Sequence, residues 1–259
     1  MRSLILAAGQ GSRLQPLTND IPKALVKLCN KTLLERQIST LRANGISDIA
    51  VVTGYLGEQI KKLGFNCFHN SDYSSTNMVY SIFKALPFLE KKGDLLISYG
   101  DIIYEQSNLK KIINSNAAIN VMVDMEWLRY WKLRFSNPLS DAESLILDDD
   151  CSIKELGLKT QNYNNIQGQY IGLIKIREDK VKDFIKFYND LGKNSPSSVF
   201  DFSNMFLTEF IQLLIDSGWE VKATCIRGGW LEVDSYKDLK IYEDLAKNNK
   251  LDIYCKLDE

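Results

Sequence analysis

The stretch LAAGQGSRLQPLTNDIPKALV, residues 6–26, decides how this chain is read. It follows directly on the apolar run at residues 3–7 and gathers two glycines, two prolines, Arg13 and Lys23 into one loop. Gly9 and Gly11 let backbone N–H groups come close to an anion. Arg13 can hold phosphate oxygens in a two-pronged fork, and Lys23, stiffened by Pro22, adds a point charge. Taken alone, a G-x-G is equally a plain turn bearing two solvated cations. Two generic phosphate motifs fail here. G-x-x-x-x-G-K-[ST] is absent, and G-x-G-x-x-G starts at Gly9 and Gly11 but meets Leu14 at its third position. A leucine there blocks close helix–strand packing.

Outward from the loop, apolar runs alternate with helical spacing. Residues 3–7, 49–52, 65–68, 95–99 and 119–125 read as strands. Leu33, Leu34, Ile38 and Leu41 share a helical face, with Gly45 suited to the position just past the helix end. A short helix is expected before Gly64, and Met78, Ile82, Ala85, Leu86 and Leu89 mark another. This alternation predicts an α/β fold, a Rossmann-like mixed but mainly parallel sheet flanked by helices. Leu95-Leu96-Ile97 has the unbroken apolarity of a parallel strand buried on both faces. Ligands of such sheets sit beyond the carboxyl ends of the strands. The opening loop, Thr53-Gly54 and Asp101 all fall there and are expected to converge.

The second half is less regular. A hairpin is expected at 144–156 around Asp148-Asp149-Asp150, strands at 169–176 and 221–226, and helices at 181–188, at 205–215 and from Tyr236. Without a Pro- or Ser-rich linker or a repeat, the expectation is a single domain over 1–259. A small β-rich lobe at roughly 120–205 would face a second substrate.

Composition removes several classes of function. The formal net charge is −1, and the lysines fall in scattered pairs such as Lys61-Lys62 and Lys110-Lys111, which gives no nucleic-acid footprint. Five cysteines without a C-x-x-C argue against a disulfide framework or a zinc site. The apolar run at 4–8 is broken too soon by Gly9 for a signal peptide or a membrane span, so a soluble cytoplasmic protein is expected. Asp148–Asp150 reads as a solvated hairpin turn, although glycosyltransferases of similar topology use an Asp-x-Asp motif. His69, the only histidine, reads as structural.

Leu6, Ala7, Ala8, Gly9, Gly11, Ser12, Arg13, Leu14, Pro16, Leu17, Thr18, Pro22 and Lys23 together match L-A-A-G-x-G-[ST]-R-[LM]-x-P-L-T-x-x-x-P-K. That pattern resembles the signature of the nucleotidyltransferases that make activated sugars and activated alcohol phosphates. KTLLERQISTLRANGISDIAVVTGYL is similar to the family's next helix and strand, and the likeness recurs at Asp101 and Asp234, so it spans nearly the whole chain. The resemblance implies that an NTP and a phosphorylated acceptor yield an NDP-linked product and pyrophosphate. It implies that Arg13 and Lys23 bind the triphosphate and stabilise the charge that builds during transfer. It places Leu6, Ala7, Ala8, Gly9, Gly11, Ser12, Thr53, Gly54, Asn77 and Met78 around the nucleotide. Asp101 in ISYGD and Asp234 in WLEVDS are implied ligands of a catalytic Mg²⁺, with Glu232 the competitor for the second place. Read by themselves, Asp101 is a turn cap and Asp234 the N-cap of the last helix.

Sugar-1-phosphate members carry a Gly-rich second motif like G-T-A-G-A, whereas this chain has NSDYSSTNMVYSIFKAL. That segment is similar to the branch making CDP-choline and related CDP-alcohols, with Asn77, Tyr80 and Ser81 in the matching places. The resemblance makes CTP the expected nucleotide. Asn77 reads a cytosine edge or caps the following helix. EWLRYWKLRF offers Trp131 and Arg129, as an aromatic cage for a quaternary ammonium or as a cation for an acidic acceptor. Tyr170, Asp201 and Lys159, the last standing where sugar-type relatives keep an E-K-P lysine, complete the candidate acceptor set. Phosphocholine, 2-aminoethylphosphonate and a phosphorylated amino-acid amide such as phosphoglutamine remain open, with phosphonate or capsule pathways the nearest in resemblance. Rival readings are a UTP- or dTTP-dependent sugar-1-phosphate enzyme, a non-catalytic nucleotide sensor and an Asp148–Asp150 glycosyltransferase. A monomer or homodimer is expected, since no β-helix repeats of the kind that trimerise some relatives occur.

Overall fold

The chain opens on a strand with nowhere to face water, and the sheet grows around it. β1 (Arg2–Ala7) runs into the Gly-rich loop, followed by two short strands, β2 (Lys27–Leu28) and β3 (Lys31–Thr32), and helix α1 (Leu33–Ala43). Next come β4 (Ile49–Thr53), α2 (Glu58–Lys61), β5 (Asn66–His69), α3 (Met78–Lys84), α4 (Leu86–Leu89), β6 (Leu95–Tyr99) and β7 (Ile102–Tyr104). The chain continues through α5 (Gln106–Ile113), β8 (Ile119–Asp124), α6 (Trp127–Arg134), the β9 (Glu143–Leu147) and β10 (Ile153–Lys159) hairpin, and β11 (Gln169–Ile176). It closes with α7 (Glu178–Asn194), α8 (Leu207–Asp216), β12 (Val221–Ile226), β13 (Trp230–Glu232) and α9 (Tyr236–Lys247). This computed structural model describes residues 1–194 and 202–257.

Seven strands form one sheet in the order β12-β8-β11-β6-β1-β4-β5. All neighbours are parallel except β11, which is antiparallel to both β6 and β8. The expected mixed, mainly parallel sheet is therefore what forms. Burial on both faces explains the continuous apolar strands. Ile5, Ala7, Val51 and Leu96 join the core on the α1 side, while Leu4, Ala50, Val52 and Ile97 join the core under α3 and α4. Arg2 is buried too, and its guanidinium donates to the carbonyls of Phe88 and Leu89 at the end of α4.

Local chemistry sets the helix ends. Thr32 and Glu35 form a capping box at the start of α1. Its far end closes with Ile46 N donating to Leu41 O at 3.0 Å and Gly45 N to Arg42 O at 3.0 Å, a left-handed Gly45 terminating the helix as expected. The face at Met78–Leu89 is two helices, with a break at Ala85, where Pro87 in the first turn of α4 cannot supply the N–H of a continuous helix. The aromatic segment 127–134 is helical. Trp127, Tyr130, Trp131 and Arg134, at i, i+3, i+4 and i+7, form its buried face.

β1 connects outward to β4 and β5 on one side, and the chain then returns to place β6 on the other. This reversal of direction makes the crevice beyond β1 and β6 the natural ligand site. Leu6 pairs with Tyr99 and Ala7 with Thr53, so the three loops leave the sheet at one level. Among the described residues, no helix is long and apolar enough to cross a membrane.

Candidate active site

The loop after β1 turns sharply enough to bring its two cations back over the strand ends. Gly11 has φ 68°, and a Cβ there would lie 2.9 Å from the Cβ of Lys23, so only glycine lets the two ends of the loop touch. Thr18 Oγ1 donates to Gly11 O at 2.8 Å and ties the turn to the middle of the loop. Gly54 supports it from behind. A Cβ on Gly54 would meet Ala8 O at 2.5 Å, and Tyr55 N donates to that carbonyl at 3.0 Å. The result is a cavity of about 280 Å³ floored by residues 6–9 and 11–13 and walled by Asn77, Met78, Tyr99 and Asp101.

Lys23 Nζ stands 2.7 Å from Asp101 Oδ2 and 2.7 Å from Asp234 Oδ1, and Arg13 Nη1 is 2.6 Å from Asp234 Oδ2. Burial disfavours the Lys23 charge, but Asp101 and Asp234 outweigh it and push its pKa up. Burial also opposes the Asp234 charge, while Lys23 and Arg13 hold its pKa below the usual carboxylate range. Asp234 is free for this because Ser235, and not Asp234, caps α9, forming a box with Asp238. Asp101 leaves β6 with Oδ1 buried and without a partner. Glu232, at the end of β13, offers an oxygen within 4.8 Å of donor atoms on both aspartates. Burial raises Glu232 to about 7, with Arg134 countering and the two aspartates adding to the rise.

These are oxygen donors only, which suits a hard divalent cation. The orphaned Asp101 Oδ1 and the ammonium bridging two carboxylates both mark a place built for positive charge. Asp101 and Asp234 fit as holders of a divalent metal, with Glu232 beside them.

A second cavity, about 260 Å³, opens on the other side of this cluster. Arg13, Met78, Tyr99 and Asp234 line both cavities. Its walls carry Trp131, Tyr170, Trp230, Asp141 and Glu143. β11 shifts register against β8 between Tyr170 and Ile174, a bulge that turns the strand edge at this wall. Asp141 accepts from Trp131 Nε1 at 3.0 Å. Burial raises the Asp141 pKa, and burial reinforced by Asp141 raises Glu143 to about 7.

The sequence-derived candidates divide between wall and support. Leu6, Ala7, Ala8, Gly9, Gly11, Ser12, Asn77 and Met78 line the first cavity with Arg13, Lys23, Asp101 and Asp234. Thr53 and Gly54 lie behind that wall. Thr53 is buried, with its hydroxyl 3.4 Å from His69 Nδ1. Asn77 does cap α3, accepting from Met78 N at 2.9 Å, and it faces the cavity as well. Trp131 and Tyr170 line the second cavity.

Three acceptor candidates need correction. Tyr80 lies one position off the cavity-facing side of α3, and its hydroxyl donates to Asp72 at 3.0 Å beside Lys84, so Ser81 lines the cavity in its place. Arg129 points the other way from Trp131. It pairs with Glu126, donates to Ile253 O at 3.1 Å and covers the Tyr254 ring. Lys159 is exposed on β10, opposite Glu143 in the hairpin register, and lines neither cavity. Asp201 lies outside the described residues. Asp148 and Asp150 pair with Lys154 and Lys222 at the exposed hairpin turn.

Sequence reasoning missed Asp141, Glu143, Trp230 and Phe206. No motif marks them, because they come from three separate segments, 141–143, 206 and 230. Tyr99 was legible only as a strand residue, yet it is the partition between the cavities. Its hydroxyl donates to Met78 Sδ at 2.8 Å, and its ring meets Tyr170 edge to face at 5.6 Å.

Residues 3–125 match the MobA-like NTP transferase domain. The chain is 42% identical over 250 residues to the CTP:phosphoglutamine cytidylyltransferase of Campylobacter jejuni, covering 93% of this chain and 98% of that protein. It is 44% identical over 87 residues to the choline-phosphate cytidylyltransferase of Streptococcus pneumoniae, covering 32% of this chain and 38% of that protein. Among solved structures, the CTP:phosphocholine cytidylyltransferase of Streptococcus pneumoniae superposes with a TM-score of 0.71 over 95% of this chain and 98% of that one. At 21% identity, that likeness concerns the fold.

Proposed function

The chain belongs to the nucleotidyltransferase family, in its cytidylyltransferase branch, and from that premise we propose that it transfers CMP from CTP to a small phosphorylated acceptor with a cationic far end. The observation carrying this reading is the junction of the two cavities. Arg13 and Asp234 belong to both, so a triphosphate in one and an acceptor phosphate in the other meet at the same charged cluster. The Gly9–Arg13 loop takes the triphosphate, Asn77 faces the base, and Asp141 with Glu143 takes the positive end of the acceptor. Phosphoglutamine suits this best among the candidates. It is the acceptor named for the relative that is 42% identical over 250 residues, and the ammonium of its amino-acid head suits a wall bearing Asp141 and Glu143.

The chemistry asks little of the side chains beyond placement and charge. An acceptor phosphate has a second pKa near ~6, so at neutral pH it is mostly dianionic and its oxygen attacks without losing a proton. A P–O bond forms at the α-phosphorus of CTP. The bond from that phosphorus to the oxygen bridging to the β-phosphate breaks, and pyrophosphate leaves with the electron pair. Arg13 and Lys23 hold the oxygens on which charge accumulates. Asp101 and Asp234 would hold a Mg²⁺, which would supply Lewis-acid charge to the phosphates. No general base is required, in keeping with His69 standing outside both cavities.

Pyrophosphate release with Mg²⁺ tests the reading, crossing CTP, UTP, dTTP, ATP and GTP with phosphoglutamine, phosphocholine, 2-aminoethylphosphonate and glucose-1-phosphate. The expected result is release with CTP and an amine-bearing acceptor, phosphoglutamine fastest. Release only with glucose-1-phosphate, or none with CTP, overturns it.

A further inference from the structure

Arg134 touches neither cavity directly, yet it is among the most buried cations of the molecule, with its side chain 1% exposed. Nη1 lies 2.6 Å from Glu232 Oε2, while Nε and Nη2 reach the two oxygens of Asp238 at 3.1 and 3.2 Å. The guanidinium rests against the rings of Tyr130, Trp131 and Phe135. Asp238 in turn accepts from Ser235 N and Oγ, both at 2.9 Å, fixing the residue that follows Asp234. The Glu232 backbone is held as firmly. Its N–H donates to the Tyr130 hydroxyl at 2.7 Å, and its carbonyl accepts from Tyr242 at 3.0 Å. Between the two acids, Val233 N donates to Asp101 O at 2.9 Å.

This is more restraint than packing requires. A buried ion pair returns little stability, since desolvating the charges offsets their attraction. One guanidinium here serves two acids, and two further acids, Asp101 and Asp234, stand against Glu232. Arg13 and Lys23 neutralise that group only while no phosphate claims them. Once a triphosphate does, four carboxylates face Arg134 alone, an excess of negative charge that a divalent cation among Asp101, Glu232 and Asp234 would offset in large part.

We propose that Arg134 is a positioning residue that fixes Glu232 as the third oxygen donor of the cation site formed with Asp101 and Asp234, and that it couples this donor through Asp238 to the start of α9. A lysine here keeps the charge but has one nitrogen in place of the three that reach Glu232 and both oxygens of Asp238, so the fixed orientation of the fork is lost. The inference rests on the cytidylyltransferase reading, and its test separates the two.

Mn²⁺ binding in the presence of CTP, read from the free-ion resonance, is compared for the wild type, Glu232→Gln, Arg134→Lys and the double variant, with melting curves alongside. Glu232→Gln is nearly isosteric and keeps Arg134 paired with Asp238, so it stays interpretable if Arg134→Lys folds poorly. Each single variant is expected to weaken Mn²⁺ about tenfold with CTP affinity in Ca²⁺-free EDTA buffer unchanged, and the double variant no further than the worse single. Wild-type Mn²⁺ affinity in folded Glu232→Gln overturns this placement alone. Absence of CTP-dependent Mn²⁺ binding by the wild type overturns the reading beneath it.

Discussion

The two cavities meet at Arg13 and Asp234 but are built in opposite ways. The side proposed for the nucleotide is mostly one continuous loop of backbone, residues 6–13, closed by short pieces at 76–81 and 99–101. The side proposed for the acceptor is a mosaic of side chains from α6, the segment at 141–143, β11, the start of α8 and β13. Backbone amides and glycines serve any triphosphate, whereas scattered side chains can be exchanged one at a time. A family can therefore keep its chemistry on one side and change its substrate on the other. The same difference predicts which mutations strike rate and which strike choice.

The largest effect belongs to Lys23→Met. It removes the ammonium bridging Asp101 and Asp234 and the charge facing the phosphates, so kcat/KM for pyrophosphate release falls about 10²–10³-fold for every acceptor alike. A loss confined to one acceptor would break the division between the cavities. Next, Glu143→Gln raises the acceptor KM about 10- to 100-fold, the worth of a hydrogen bond to a charged group, and leaves the KM for CTP alone. An equal change in both would mean that Glu143 serves the common cluster.

The loop was legible because its constraints are local. Gly11 must be left-handed, Pro22 sets the approach to Lys23, and each lies within a run that can be read in order. The acceptor wall was not, since no spacing joins Asp141 to Trp230. The aromatic segment 127–134 shows the trap. Its i, i+3, i+4, i+7 stripe was in plain view, and it is the stripe of a buried helix face, with Arg134 taking a core position because two acids meet it there. Composition suggested a binding cage, where periodicity marked core and left only Trp131 at a cavity.

The third effect tests the loop through its backbone. Gly11→Ala forces a Cβ into a left-handed residue against Lys23, at a cost of about 1–2 kcal/mol, or about tenfold in kcat/KM for CTP if Lys23 is displaced. Steady-state kinetics with saturating acceptor would detect it. An unchanged constant would mean that Lys23 reaches the phosphates without the close approach at Gly11.

A smaller effect comes from pH. Burial lifts Glu143 to about 7, above the ordinary value for glutamate, so the folded protein holds this proton more tightly than the unfolded chain. The charged form accordingly costs stability as pH rises through 7, and it is also the form that attracts a cationic acceptor. Acceptor KM is expected to rise several-fold as pH falls from 8 to 6, with the KM for CTP following only the titration of CTP itself. Bound acceptor ammonium pulls the Glu143 pKa back down, so the dependence weakens at saturation. In Glu143→Gln, only the roughly twofold slope from protonation of the acceptor phosphate itself, with its pKa near ~6, should remain; a steeper one would mean that another group carries it.

The smallest expected effect is the sharpest check on the boundary of the acceptor side. Tyr80→Phe removes one hydroxyl from a surface cluster with Asp72 and Lys84, and Arg129→Ala uncovers the Tyr254 ring and leaves Glu126 with Arg227 as its partner. Exposed pairs of this kind contribute about 0–1 kcal/mol to stability. Neither residue lines a cavity, so both variants should stay within about twofold of wild type in both Michaelis constants, while Tm shifts by a few degrees at most. Arg129 sits two residues from Trp131 on the same helix, and the half-turn between them is all that separates a cavity wall from a surface clamp. A large acceptor-specific defect in Arg129→Ala would mean that α6 rotates when substrate binds, and the mosaic would then have to be redrawn around the other face of that helix.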